Sequence, residues 1–273
     1  IQEIISQYLI SICRRISHRL KGHSKKLHYQ VVAPALERVL VRGYALLYLQ
    51  SYISTKGIFW LPSLILENLT MKTITTLDEL KDLYGEPGAP SLVKEVNHIT
   101  PHYRALVEAS PFVAIATSGP EGLDCSPRGD APGFVRVHDE NTLMLPDRRG
   151  NNRTDSLRNI IRDSRVAVLF LIPGSGSILR ANGRAQIATD PDLLESFISN
   201  GKTPRSVIVV TVETIYFQCA KAIVRSDMWN PDKYIESDAL PTAGEILSEL
   251  SNGSVGGEEY DRTWLDRAKK TMW

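Results

Sequence analysis

The 273-residue chain is short of several things at once, and each shortage removes a class of function. Its three cysteines, Cys13, Cys125 and Cys219, are too few for a disulfide framework and too far apart for a closely spaced metal-ligand set, which fits a reducing compartment. There is no G-x-x-x-x-G-K loop, no G-x-S-x-G elbow and no H-E-x-x-H pair, so the local signatures of phosphate-loop, serine-hydrolase and zinc-protease chemistry are missing. Gly174-Ser175-Gly176 lacks the third glycine of a nucleotide fingerprint and reads as a turn. The apolar stretches at 44–49 and 58–66 are interrupted by Gln50, Ser51, Lys56 and Glu67, short of the roughly 18 to 20 apolar residues that a membrane span needs. No membrane partner and a cytoplasmic location are expected.

Acid is scarce in one region only. Residues 1–70 contain no Asp and no Met, with nine Lys or Arg against three Glu, a net of +6 that leaves −5 for the rest of a chain whose total is +1. This stretch is expected to be a basic N-terminal extension outside the native domain, which would start at Met71 and run to residue 273; a transit peptide is the weaker alternative. His18, His23 and His28 recur every five residues and so share no helical face, which argues against a metal site. A near-neutral total and basic residues that are not regularly interleaved with aromatic ones argue against nucleic acid as a partner.

After Met71 the pattern becomes regular. Short helices are expected at 76–84 and 101–109, and strands at 112–118, 123–127, 133–138, 142–145, 165–172, 178–189 and 206–218, joined by turns rich in Gly, Pro and Asp. Further helices are expected at 155–163 and from Asp190-Pro191 through Ser199. The run Val166-Ala167-Val168-Leu169-Phe170-Leu171-Ile172 predicts a strand covered on both faces, and Gly183 within 178–189 predicts a bulge or a close approach by ligand or backbone. Six or seven short strands with peripheral helices predict a mainly β fold closing into a small barrel.

The segment Leu145 to Asn159, L-P-D-R-R-G-N-N-R-T-D-S-L-R-N, concentrates the chemistry of an anion site. Arg148, Arg149 and Arg153 offer forked donors, Gly150 lets a ligand approach the backbone, and Asn151 and Asn152 offer amides. All lie just before a helix whose first N–H groups and positive dipole end would face the same anion. The plainer alternative is a solvated turn whose arginines pair with Asp147, Asp155 and Glu140. A second cluster, Cys125-Ser126-Pro127-Arg128-Gly129-Asp130, would add a fork from Arg128 and a hydroxyl from Ser126; its alternative is a turn with Arg128 paired to Asp130. Arg180, Asn182 and Arg184 alternate on one strand face and would contact a ring or simply face solvent. Cys219 is expected to be a small buried residue.

Taken as a block, S-P-R-G-D, L-P-D-R-R-G-N-N-R and the strand at 178–189 make 112–229 resemble the FMN-binding split barrels related to pyridoxamine 5′-phosphate oxidase, in particular a subgroup of uncharacterised flavin-nucleotide-binding proteins. The resemblance implies a six-stranded antiparallel split barrel, a homodimer, and FMN in a groove between subunits. It also implies that Arg128 and the turn of Arg148, Arg149, Gly150, Asn151, Asn152 and Arg153 serve the FMN phosphate, beside which Ser126 stands as the hydroxyl candidate, with Asn151, Asn152 and Arg153 standing where the oxidases carry a Ser-Arg-Lys run. The oxidases' C-terminal substrate-binding Arg and His pattern is absent, since 237–273 contain no histidine, which argues against pyridoxine phosphate as substrate. The expected function is a flavin-dependent oxidoreductase acting on a small molecule, with a nicotinamide cofactor as electron donor and no nameable acid or base. The alternative is a flavin-binding module without turnover, acting as carrier, store or sensor. FAD or a deazaflavin in place of FMN is left open by the residues.

Overall fold

In the computed structural model the described residues are 72–236 and 238–272. The N-terminal extension, its histidines and Cys13 lie outside them. Contacts divide the chain into two compact units at Glu86/Pro87. Of the first, the described part holds one helix, α1 (Leu77–Tyr84). It starts on a capping box in which the Thr76 hydroxyl accepts from the Glu79 N–H and the Glu79 carboxylate accepts from the Thr76 N–H.

The second unit begins with two short helices, α2 (Ala89–Val93) and α3 (Pro101–Ala109), before the strands. The strands are β1 (Phe112–Gly119), β2 (Gly122–Gly129), β3 (Arg136–Asp139), β4 (Thr142–Pro146), β5 (Arg165–Leu171), β6 (Ile178–Ala188) and β7 (Val207–Gln218). They form a single antiparallel sheet in the order β2-β1-β5-β6-β7-β4-β3. The mainly β antiparallel class is as expected. Six strands and closure are not: among the described residues seven strands form a ladder that is open at β2 and β3. The short β3, whose register with β4 slips between Val137 and Asp139, supplies the seventh strand and one free edge.

Alternation decides which face is buried. Val113 and Ile115 of β1, Val166, Val168 and Phe170 of β5, Leu179, Ala181 and Ala185 of β6, and Val210, Val212 and Ile215 of β7 form one core with Tyr103 and Val107 of α3. β5 was expected to be covered on both sides; instead its burial alternates, with Val166, Val168 and Phe170 buried and Ala167 and Leu169 only half-buried. Gly183 sits at the predicted bulge, where one extra residue of β7, Glu213, is accommodated between the pairs Asn182↔Thr214 and Gly183↔Val212.

Helix α4 (Asp155–Arg162) packs on β1, where the buried Asn159 donates through Nδ2 to Thr117 Oγ1 at 3.1 Å. A side chain at Gly119 would collide with that amide, so glycine allows the close approach. α5 (Pro191–Ser196) stops three residues short of the expected end and α6 (Lys221–Ser226) follows β7. The C-terminal region contains two helices, α7 (Ala243–Leu250) and α8 (Glu258–Thr271). They are clasped by Asp261, whose carboxylate accepts from the Gly244 N–H at 2.8 Å and the Thr242 hydroxyl at 2.6 Å. Among the described residues no helix is long and apolar enough to cross a membrane.

Candidate functional site

The turn before α4 is built on two left-handed residues, Asn152 (φ 61°) and Thr154 (φ 59°). Asparagine tolerates this conformation, but a β-branched threonine adopts it only under strain, which clusters at binding sites. Asn151 shapes the entry, its Oδ1 accepting from the Arg153 N–H at 3.0 Å. The Thr154 hydroxyl donates to the Arg153 carbonyl at 2.7 Å, so the residue in the cap position gives no side-chain hydrogen bond to the helix. The first-turn N–H groups of α4 are therefore left for an outside acceptor, at the positive end of the helix dipole.

On β2 the alternate residues Asp124, Ser126 and Arg128 share one half-buried face, while Leu123, Cys125 and Pro127 are exposed. Asp124 Oδ2 accepts from Ser156 Oγ at 2.6 Å and Ser126 Oγ at 2.7 Å, with Ser156 buried in the first turn of α4. The Ser156 bond, followed by those of Ser126 and the charges of Arg128 and Arg153, holds the Asp124 carboxyl below the usual carboxylate range against the opposing effect of burial. This network fixes the helix start against the strand, and Arg128 joins it through Nη2 to Ser156 Oγ at 3.4 Å.

Arg128 does not pair with Asp130. Its Nε lies 3.8 Å from Asp147 Oδ1, while Asp130 takes Arg148 Nε at 2.8 Å. Burial pushes the Asp147 carboxyl above its ordinary value, with Arg128 and Arg205 opposing the shift. Arg205, from the loop before β7, donates to Asn152 Oδ1 at 3.0 Å.

The eight residues singled out in the sequence thus separate into groups. Ser126 and Arg128 meet the α4 start across the strand-helix contact. Arg149 and Gly150 are exposed; Arg149 makes no hydrogen bond or ion pair among the described residues, and nothing crowds Gly150. Asn151 and Asn152 shape the turn through their Oδ1 atoms. Arg153 is 74% exposed and pairs with Asp155, as the plainer reading expected. Arg148 is engaged elsewhere: besides Asp130 it donates to the Phe197 carbonyl at 2.7 Å, beside Arg136, whose guanidinium covers the Phe197 ring at 3.7 Å. Together these two arginines hold the end of α5.

The other candidates make contacts within the sheet. Arg180 lies over Tyr216, Asn182 donates to Thr214 and Arg184 pairs with Glu213. Gly183 is approached by the backbone of β7. Cys219 is exposed rather than buried, because it falls just past the last paired residue of β7, and the Lys221 N–H, then the charges of Lys221 and Lys94, lower its thiol pKa. An open depression of about 540 Å³ at the other end of α4 is lined by Arg162, Asp163, Arg165 and Arg184 among others. It is a poor anion site: it borders the helix's negative pole, and its arginines pair with Glu121, Asp163 and Glu213. Arg165 holds the Asp163 carboxyl down at about 2.

Sequence reasoning missed Asp124, Ser156 and Arg205, and it gave Asp147 to the arginines of the turn whereas its ion-pair partner is Arg128. A signal existed for Asp124, since the spacing Asp124-x-Ser126-x-Arg128 puts all three on one strand face. None existed for Arg205, which is far from the turn in sequence.

The sequence model of the family described as pyridoxamine 5′-phosphate oxidase matches residues 99–219, a span that contains all seven strands, the turn and α4. Solved structures similar to the chain include HupZ of Group A Streptococcus, 20% identical over 44% of this chain and 94% of that one, with a TM-score of 0.37. A pyridoxamine 5′-phosphate oxidase homologue of Lactobacillus delbrueckii is 21% identical over 44% and 95%, with a TM-score of 0.37. An FMN-binding protein of Syntrophomonas wolfei is 10% identical over 52% and 95%, with a TM-score of 0.33. No curated protein matches the chain.

Proposed function

We propose, from the premise that this chain belongs to the pyridoxamine 5′-phosphate oxidase family through residues 99–219, that it binds FMN at the start of α4 and serves as a flavin-dependent oxidoreductase for a small molecule. The observation that carries the reading is a helix start without a side-chain cap, beside an exposed guanidinium, Arg149, that has no counter-ion among the described residues. Such a place is suited to a phosphate. Arg149, Arg153 and the first-turn N–H groups would hold the phosphate from outside. Arg128 and Ser126 would support it from β2, and Gly150 leaves the backbone accessible. When bound, the flavin supplies the electron or hydride chemistry; the chain's residues supply anchoring and placement.

A homodimer fits the outer face of the sheet. Phe112, Ala114 and Ala116 of β1 stand in register with Leu171, Leu169 and Ala167 of β5, an apolar strip left partly open in one copy. The free thiols Cys125 and Cys219 fit a reducing, cytoplasmic setting.

Anaerobic addition of NADPH or NADH to the FMN-loaded protein, followed by a screen of small electron acceptors, tests the enzymatic reading. The expected result is bleaching of the flavin absorbance followed by recovery with at least one acceptor. A bound flavin that no donor reduces, or that no acceptor reoxidises, would instead support a module that carries, stores or senses flavin.

A further inference from the structure

We propose that Arg205 is a further guanidinium of this anion site and favours a terminal phosphate monoester over a phosphodiester, an inference that rests on the FMN reading above. Arg205 is exposed, its Nη1 donates to Asn152 Oδ1 at 3.0 Å, and its Nε and Nη2 make no hydrogen bond among the described residues. It is thus tied to the turn by one nitrogen, with its remaining N–H donors free for an acceptor. The Asp147 N–H donates to the carbonyl of Ser206 at 2.9 Å, placing Asp147 beside the residue that follows Arg205, and the Asp147 carboxyl lies 3.8 Å from Arg128 Nε.

Three charged groups from three parts of the sheet therefore meet beneath the turn: Arg128 from β2, Asp147 after β4 and Arg205 before β7. Arg128 and Asp147 alone would present a nearly neutral pair to an incoming phosphate. Arg205 changes that balance, leaving one positive charge uncompensated next to Asn152. Because the Coulomb energy scales with the product of the charges, a doubly charged monoester gains more from this cation than a diester, whose phosphates each carry one charge.

The test is titration of the 273-residue protein and its Arg205→Gln and Arg205→Lys variants with FMN, FAD and riboflavin, followed by flavin fluorescence. Arg205→Gln is expected to weaken FMN about 10- to 100-fold, FAD by less, and riboflavin, which has no phosphate, not at all; Arg205→Lys restores part of the FMN affinity by restoring charge without the fork. Equal FMN affinity in wild type and Arg205→Gln overturns the proposal while leaving the FMN reading intact. A parallel loss of riboflavin assigns Arg205 a structural role and also overturns it. An equal loss of FMN and FAD overturns the monoester preference. A wild-type protein that binds FMN no better than riboflavin overturns both this proposal and the phosphate site on which it rests.

Discussion

Arg149→Ala combined with Arg153→Ala is expected to release FMN while leaving the fold intact. Each lost hydrogen bond from a charged donor to phosphate costs about 1.5 to 3 kcal/mol, so the pair weakens FMN by roughly 100- to 10,000-fold. Stability should barely change. Arg149 is exposed and unpaired among the described residues, and the pair that Arg153 forms with Asp155 is a surface contact of the kind worth about 0 to 1 kcal/mol. Riboflavin is the internal control, since loss of phosphate contacts leaves ring binding alone. Calorimetric titration with FMN and riboflavin, alongside a thermal melt of the apoprotein, reads all three quantities. Wild-type FMN affinity in the double variant would remove the phosphate from this turn.

Gly183→Ala is expected to damage the fold itself. A Cβ there would enter the Thr211 carbonyl group, lying 2.9 Å from its carbon and 3.2 Å from the Val212 Cα, all of it backbone of the neighbouring strand. β6 and β7 lie in the middle of the sheet, paired along eleven positions around the bulge, so neither strand can move aside without disturbing the ladder. Overpacking of this kind costs about 1 to 3 kcal/mol when side chains can adjust; with rigid backbone in the way, about 3 kcal/mol or more is expected. Gly150→Ala is the matched control, because its added Cβ meets nothing within 4 Å, and its stability should stay within about 0.5 kcal/mol of wild type. Urea unfolding of the two variants measures the difference; equal midpoints would show that the bulge is not as tightly packed as the structure has it.

The two glycines also show what the sequence could and could not disclose. A glycine inside an apolar strand announces a close approach, and Gly183 has one, but sequence does not say whether ligand or backbone makes it. Alternation along β1, β5, β6 and β7 made the strands legible, because burying one face imposes a period of two. The definite count of six strands came from resemblance, but closure was also read from the run of six or seven short strands, and that step fails because it depends on whether the edge strands β2 and β3 pair, which no local pattern encodes. α7 escaped notice even though Thr242-Ala-Gly-Glu245 is a capping-box sequence, and the structure uses it as one.

At the site, the local part was readable and the long-range part was not. Arg149, Gly150 and the start of α4 are neighbours in sequence, so their joint chemistry shows in a single stretch. Arg148 looked equivalent to Arg149, yet pairing of β4 with β7 carries it to Asp130 and the end of α5, a consequence of topology that no local pattern encodes. Likewise Ser156 reaches Asp124 across a separation of 32 residues and Arg205 reaches Asn152 across 53, contacts that exist only once the sheet is assembled.

The most direct test of the account is the identity of whatever chromophore the protein takes up. The purified 273-residue chain, incubated with excess FMN and freed of unbound ligand, is expected to retain a flavin absorbance band near stoichiometric amount, and the chromophore released on denaturation should have the mass of FMN. A protein that stays colourless after this treatment, or that prefers riboflavin to FMN in competition, would contradict the assignment of the α4 start as a flavin phosphate site.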